Sequence, residues 1–143
     1  MERFGNFSSF LLILCIALLP ALLFVIAMYR TMNSVAPQNR KIPAWAVWLL
    51  LLPIPIIGNI LWLIVPYKYS QSIEVELKER GIAAPKYPTL FAGMAVGITQ
   101  LLAYLPFMHW FTRYAWFIFF FFYWYKIVEY KRKLESPLPQ TTL

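Results

Sequence analysis

From Phe4 to Tyr29 the chain carries no charged residue, and Phe10–Met28 is apolar throughout. At 1.5 Å per residue such a run, taken as a helix, reaches across a bilayer core about 30 Å thick. Nothing else in the sequence restricts the fold as tightly. A chain of 143 residues falls in the one-domain range, and 61% of its residues are apolar while 13% are charged, against about a quarter charged in soluble globular chains. A mean hydropathy of +0.61 agrees. A soluble core of this size cannot hide so much apolar side chain, so the composition predicts lipid as part of the solvent. A secretory signal is the competing reading of the first run, given Glu2-Arg3 before it. The run is longer than a signal core and no small-x-small cleavage site follows, so we expect a retained span.

The rest of the chain repeats the pattern of apolar run and charged break. Ala36–Gly81 is its densest part. Pro37 and Asn39-Arg40-Lys41 make a polar turn, Pro43 suits the first position of a helix, and Trp45 and Trp48 suit an interfacial belt. Pro53 and Pro55 remove backbone donors and should bend the second span, and Gly58 admits a neighbouring helix. After Pro66 the composition changes. Ile73 and Leu77 share a face, while Glu74/Lys78 and Glu76/Arg80 are spaced for helix ion pairs. Gly81 is a natural helix stop. This predicts a short amphipathic surface helix, solvated or docking a partner through Ile73 and Leu77. Further on, Gly93 and Gly97 have the spacing that brings two membrane helices together, and Gln100 and Tyr104 continue their stripe. The last run, rich in Trp116, Phe120, Trp124 and their aromatic neighbours, is marginal in length for a crossing. A re-entrant hairpin of the last two segments is its alternative.

The architecture expected is therefore all-α and polytopic, a single membrane domain. Its four spans lie at about 8–29, 44–67, 89–107 and 112–130, with a surface helix at about 69–80 and a basic, proline-containing tail at 131–143. With the N-terminus inside, the outer segments hold only Arg30, Arg40, Lys41 and Arg113 of the 13 Lys and Arg residues. The positive-inside rule then places both termini in the cytoplasm. The net charge of +7 sits in the breaks and tail, which points to headgroups and not to nucleic acid.

Residues able to carry chemistry are few. There is no aspartate, and none of the six glutamates falls in the middle of a span, which disfavours a transporter acting alone. Cys15 is the only cysteine and His109 the only histidine, so no cysteine pair and no zinc set exists. We therefore expect no catalytic residue, no metal and no cofactor. Asn59 and Gln100 are the informative polar residues inside spans, and an amide pair between them would join two helices.

The order Ala36-Pro37-x-Asn39-Arg40, Pro43, Val47-Trp48, Ser72, Glu79-Arg80-Gly81, Tyr123-Trp124-x-Lys126-Ile127 and Tyr130 resembles a family of small, uncharacterised bacterial multi-pass membrane proteins. The likeness covers about Thr31 to Leu134. It implies an inner-membrane location and a span count, with no activity attached. Where that family has an asparagine- or phenylalanine-containing turn in the second span, this chain has Pro53-Ile54-Pro55.

These residues lead to an expectation of a non-catalytic accessory or scaffolding subunit of a larger membrane complex. It would pack through Gly58, Asn59, Gly93, Gly97 and Gln100 and meet its partner through Asn39, Arg40, Lys41, Ile73, Leu77, Trp116, Phe120 and Trp124. Its partners would be the bilayer and other integral membrane proteins. The alternatives are a binder or carrier of a lipid, quinone or pigment, or a component of a transporter.

Overall fold

The computed structural model describes residues 2–52 and 55–136; the side chains of 2–11, 13–17, 55, 56 and 109 are outside that description. The described residues are all helical or connecting, with no strand. Helix α1 is Glu2–Asn33, 32 residues with Pro20 inside it. A single 3-10 turn follows at Pro37–Asn39, then a longer 3-10 helix at Ala44–Leu51. Helix α2 is Pro55–Glu79, continuous through Pro66. Helix α3 is the short Leu90–Leu102, and α4 is His109–Glu135.

Two boundaries differ from the sequence expectation. Residues 44–67 do not form one span: Ala44–Leu51 is 3-10 helix, Leu52 is extended, and α2 begins afresh at Pro55. The bend expected at Pro53 lies outside the described residues. The second difference is that residues 69–80 do not form a separate surface helix. They continue α2, and Tyr69, Ile73 and Leu77, four apart, point into the core with no exposed surface. That stripe is the reason α2 runs unbroken, because it packs along its whole length. The helix ends at Gly81, whose φ of +69° closes a Schellman cap: Gly81 N–H donates to Lys78 O and Ile82 N–H to Leu77 O at 2.9 Å.

Helix α3 lies against α2 through its glycines. A Cβ on Gly93 would stand 2.5 Å from Pro66 Cβ, and one on Gly97 would stand 2.9 Å from the Trp62 carbonyl oxygen. Helix α4 then packs on α3 and α1. Its inward face is Phe120, Tyr123, Ile127, Tyr130 and Leu134, the three- and four-residue spacing of one helix stripe. Phe24 of α1 joins the layers. Its ring lies 4.8 Å from Phe120 and 5.9 Å from Trp62, centroid to centroid. The 3-10 helix fills the remaining side, burying Ala44, Val47 and Leu50 in the same core.

Candidate functional site

Four polar residues in the C-terminal half of α2, Ser70, Ser72, Glu74 and Glu76, are acceptors on two stripes, and each takes a backbone amide from a flanking segment. On one stripe, Ser70 Oγ accepts from Thr89 N–H at 3.3 Å and Glu74 from Tyr87 N–H at 2.9 Å. These bonds hold the 82–89 loop, including Tyr87 at a φ of +52°. On the other, Ser72 Oγ accepts from Lys41 N–H and Glu76 Oε2 from Ala36 N–H, both at 2.8 Å. These hold the 34–41 segment. Asn39, 3% exposed, adds a fork: its Nδ2 donates to Glu76 Oε2 at 2.8 Å and to Glu79 Oε2 at 2.6 Å.

Arg80 closes this polar lock. Its Nε donates to Glu76 Oε1 at 2.7 Å, its Nη2 to the Ser34 carbonyl at 2.9 Å and its Nη1 to the Leu134 carbonyl. Ser34 follows the end of α1 and Leu134 is in the last turn of α4, so one guanidinium ties three helix C-termini, where a cation is favoured. Arg40 does the same for α1 alone, donating to the Val35 and Asn33 carbonyls at 2.9 and 3.2 Å. Burial by itself would raise the Glu76 carboxyl, but the hydrogen bonds from Asn39, the Ala36 amide and Arg80 outweigh it and hold it below its usual range. The Lys78 ammonium and then the Tyr87 amide lower Glu74 likewise.

These contacts change the topology expected from the sequence. Residues 31–41 and 68–86 were assigned there to opposite faces of a bilayer, yet they are bonded to each other. Hydrogen bonds below 3 Å cannot span a hydrocarbon layer of about 30 Å. The chain from Ala44 to Pro66 therefore leaves this end of the molecule and returns to it. The misassignment has a physical source: an apolar run broken by prolines has the same composition whether it crosses or doubles back.

The residues expected to meet a partner are distributed differently as well. Asn39 and Arg40 are spent on internal bonds, while Lys41 uses its amide internally and leaves its side chain exposed. Ile73 and Leu77, expected on a docking face, are buried in the core. Phe120 is buried, and Trp116 and Trp124 are half-buried against it, Trp116 stacked at 5.0 Å. The exposed face of α4 is instead Phe117, Ile118, Phe121 and Tyr125, which the sequence reading did not single out. With aromatics all round the helix, no periodicity separates the two faces. Phe107, at the turn between α3 and α4, is 98% exposed, and Trp110 and Phe111 are exposed beside it.

Of the packing residues, Gly58 is buried, with the Leu52 carbonyl 3.2 Å from where its Cβ would be. Gly93 and Gly97 lie on α2 as described above. Asn59 does not pair with Gln100: its Nδ2 donates to the Tyr104 hydroxyl at 3.1 Å, one helical turn further along the same stripe. Gln100 Oε1 and Trp116 Nε1 are buried without a hydrogen-bond partner. Both line a pocket of about 200 Å³ between α3 and α4, together with Thr99, Ala103, Thr112, Arg113 and Phe117. On the other side of the same crossing, a wider groove of about 510 Å³ is lined by apolar side chains and the same two threonines. Three more hydroxyl oxygens, on Tyr69, Thr89 and Tyr123, are buried deeper in the core, Tyr69 beside Thr31 and Tyr123 beside Thr89. Burial pushes the Tyr69 phenol up, so it stays neutral.

Among the described residues no group of three or more His, Cys, Asp or Glu side chains could hold a metal. None of their helices is both long and apolar enough to cross a membrane; α3 is short and the C-terminal parts of α2 and α4 are charged. The Phe10–Met28 run of α1 falls partly among side chains outside the description. No protein family matches this chain, and no curated protein or solved structure shows significant similarity to it.

Proposed function

We propose that this chain is an integral protein of the bacterial inner membrane, acting as a non-catalytic accessory or scaffolding subunit of a larger membrane complex. One contrast carries the reading. The acidic and amide side chains of the α2 lock are bonded inside the chain, while the rings of Tyr104, Phe107, Trp110, Phe111, Phe117 and Phe121 are left exposed. An apolar patch of that extent on a small protein calls for lipid or another protein over it. Lipid accounts for part of it, and the outward face of α4, with Phe117, Ile118, Phe121 and Tyr125, presents the large rigid rings that anchor protein interfaces. The apolar composition and the uncharged stretch from Phe4 to Tyr29 support the compartment. Purification in mild detergent followed by mass spectrometry of co-eluting proteins tests the reading. A stoichiometric membrane partner is expected, and its loss on Phe121→Ala would place the contact on α4. A monomer without a partner would remove the proposal.

A second reading rests on the α3–α4 crossing. The unpaired Gln100 Oε1 and Trp116 Nε1, an acceptor and a donor, line a pocket whose neighbouring groove is apolar. This suits a lipid or quinone with one polar head. Native mass spectrometry of the purified protein decides it: retained lipid or quinone mass supports a carrier, and bare protein excludes one.

A further inference from the structure

All of the 13 Lys and Arg residues except Arg3 and Arg113 lie at the locked end of the molecule or beside it, within residues 30–41, 68–86 and 126–133. Two hairpins run away from that end. The first goes out through the 8-residue 3-10 helix, about 16 Å at about 2 Å per residue. It comes back through the apolar part of α2, Pro55 to Pro66, about 17 Å at the α-helical rise. The two arms match in depth although their helix types differ. The second hairpin goes out through the 13 residues of α3, about 20 Å, and turns between Ala103 and Met108. It returns through α4, which carries Arg113 near its start and is uncharged only from Tyr114 to Tyr125. Both hairpins are shallower than a hydrocarbon core of about 30 Å. Helix α1, with 32 residues and about 48 Å of length, exceeds that depth. Its Phe10–Met28 run, partly outside the described side chains, is apolar in the sequence.

We infer, resting on the membrane reading above, that the chain crosses the bilayer once, through α1, and that both hairpins are re-entrant, inserted from the cytoplasmic leaflet. The basic end then lies among the anionic headgroups of that leaflet, and the turn at Phe107 with the start of α4 at Trp110 and Phe111 lies deeper in it. There, among the described residues, Arg113 is the one exposed charge, and it reaches back toward phosphate or water along its stem. Charge decides the side. With the whole lock on one face, the positive-inside asymmetry is nearly complete, whereas the four-crossing arrangement left Arg30, Arg40 and Lys41 outside. Backbone satisfaction permits the shape. A 3-10 helix is tolerated at membrane depth where protein covers it: its inner face, Ala44, Val47 and Leu50, is buried against α1 and α2, while Trp45, Trp48 and the extended Leu52 face outward. The N-terminal end of α1 then faces the periplasm and the C-terminal end of α4 the cytoplasm, in place of two cytoplasmic termini.

Single-cysteine labelling of the full chain tests this in a Cys15→Ser background. Gln38→Cys, Lys86→Cys, Phe107→Cys and Asn6→Cys are each exposed to a membrane-impermeant maleimide in spheroplasts and in inverted vesicles. Gln38, in the 3-10 turn, and Lys86, in the 82–89 loop, are exposed and Phe107 touches little, so these three substitutions leave the core intact. The expected result is labelling of both Gln38→Cys and Lys86→Cys in inverted vesicles alone, of Asn6→Cys in spheroplasts alone, and of Phe107→Cys only after detergent is added. Labelling of Gln38→Cys and Lys86→Cys from opposite sides overturns the first hairpin. Labelling of Phe107→Cys in spheroplasts overturns the second. Failure of the membrane reading itself is seen separately, as release of the unsubstituted chain from membranes by alkaline carbonate.

Discussion

Glu76 ties a distant segment of the chain to α2. It is 4% exposed, yet it accepts from Asn39, the Ala36 amide and Arg80, so its charge is matched by donors from two segments. Removing the charge leaves those donors without their acceptor. Glu76→Ala should therefore cost about 2–4 kcal/mol of stability, as expected for a buried hydrogen-bonded ion, with Asn39→Ala costing about 1–2 kcal/mol. Thermal unfolding in detergent measures both. The same bonds set a pH dependence. Glu74 and Glu76 have folded pKa values below their ordinary 4.5, so they stabilise the fold above that value. The stability is lost as pH falls through the lowered values. Acid unfolding curves should show this loss in the native chain and a shallower one in Glu76→Gln. Gly97 is the other sensitive position. A methyl group there would meet the Trp62 carbonyl at 2.9 Å, and backbone cannot rotate away. Gly97→Ala should then destabilise by about 1–3 kcal/mol, read as a lower unfolding midpoint.

At the scale of elements, α2 is the spine and α4 is the two-faced helix. The stripe Tyr69, Ile73, Leu77 faces the core, while Ser70/Glu74 and Ser72/Glu76 hold a loop on either side. A solvated surface helix would gain nothing from two serines and two glutamates alternating over seven positions, and that alternation was the one readable sign of burial. The ion-pair spacing of Glu74/Lys78 and Glu76/Arg80 pointed instead to solvent, because a pair at i, i+4 looks the same in sequence whether or not backbone amides crowd around it. Helix α4 gives no such sign, since Phe, Trp and Tyr surround it. Its two faces should separate by mutation. Phe120→Ala, on the buried face against Phe24 and Trp116, should cost about 3–5 kcal/mol. Phe121→Ala, on the exposed face, should leave the unfolding midpoint nearly unchanged and reduce recovery of a co-purifying partner. Equal destabilisation by the two would mean that the exposed face packs within this chain after all.

For the whole molecule, the decisive fact is that three charged segments far apart in sequence share one end. Arg80 alone touches the end of α1 and the last turn of α4, so Arg80→Ala should loosen both at once. Hydrogen exchange should then rise together at residues 31–40 and 130–135, beyond the turn around Arg80 itself. A rise confined to one of the two would show that the three helix ends are not coupled through this side chain. The exposed rings of Phe107, Trp110 and Phe111 lie toward the opposite end, and those of Phe117, Phe121 and Tyr125 run along α4 back to Lys126.

The sequence by itself determined the chemistry of the chain and most of its helices. Apolar runs, proline and glycine punctuation and the charge breaks placed α1, α3 and α4, and the glycine stop at Gly81. They do so because helix ends and hydrophobic length are local properties, set within a few residues. It also determined how few reactive side chains there are. Which way each run turns was decided only in the tertiary structure. Whether Ala44–Pro66 crosses or doubles back depends on Asn39 finding Glu76 and Glu79, about forty positions away in the chain. Hydropathy sums over neighbours and carries no term for that meeting.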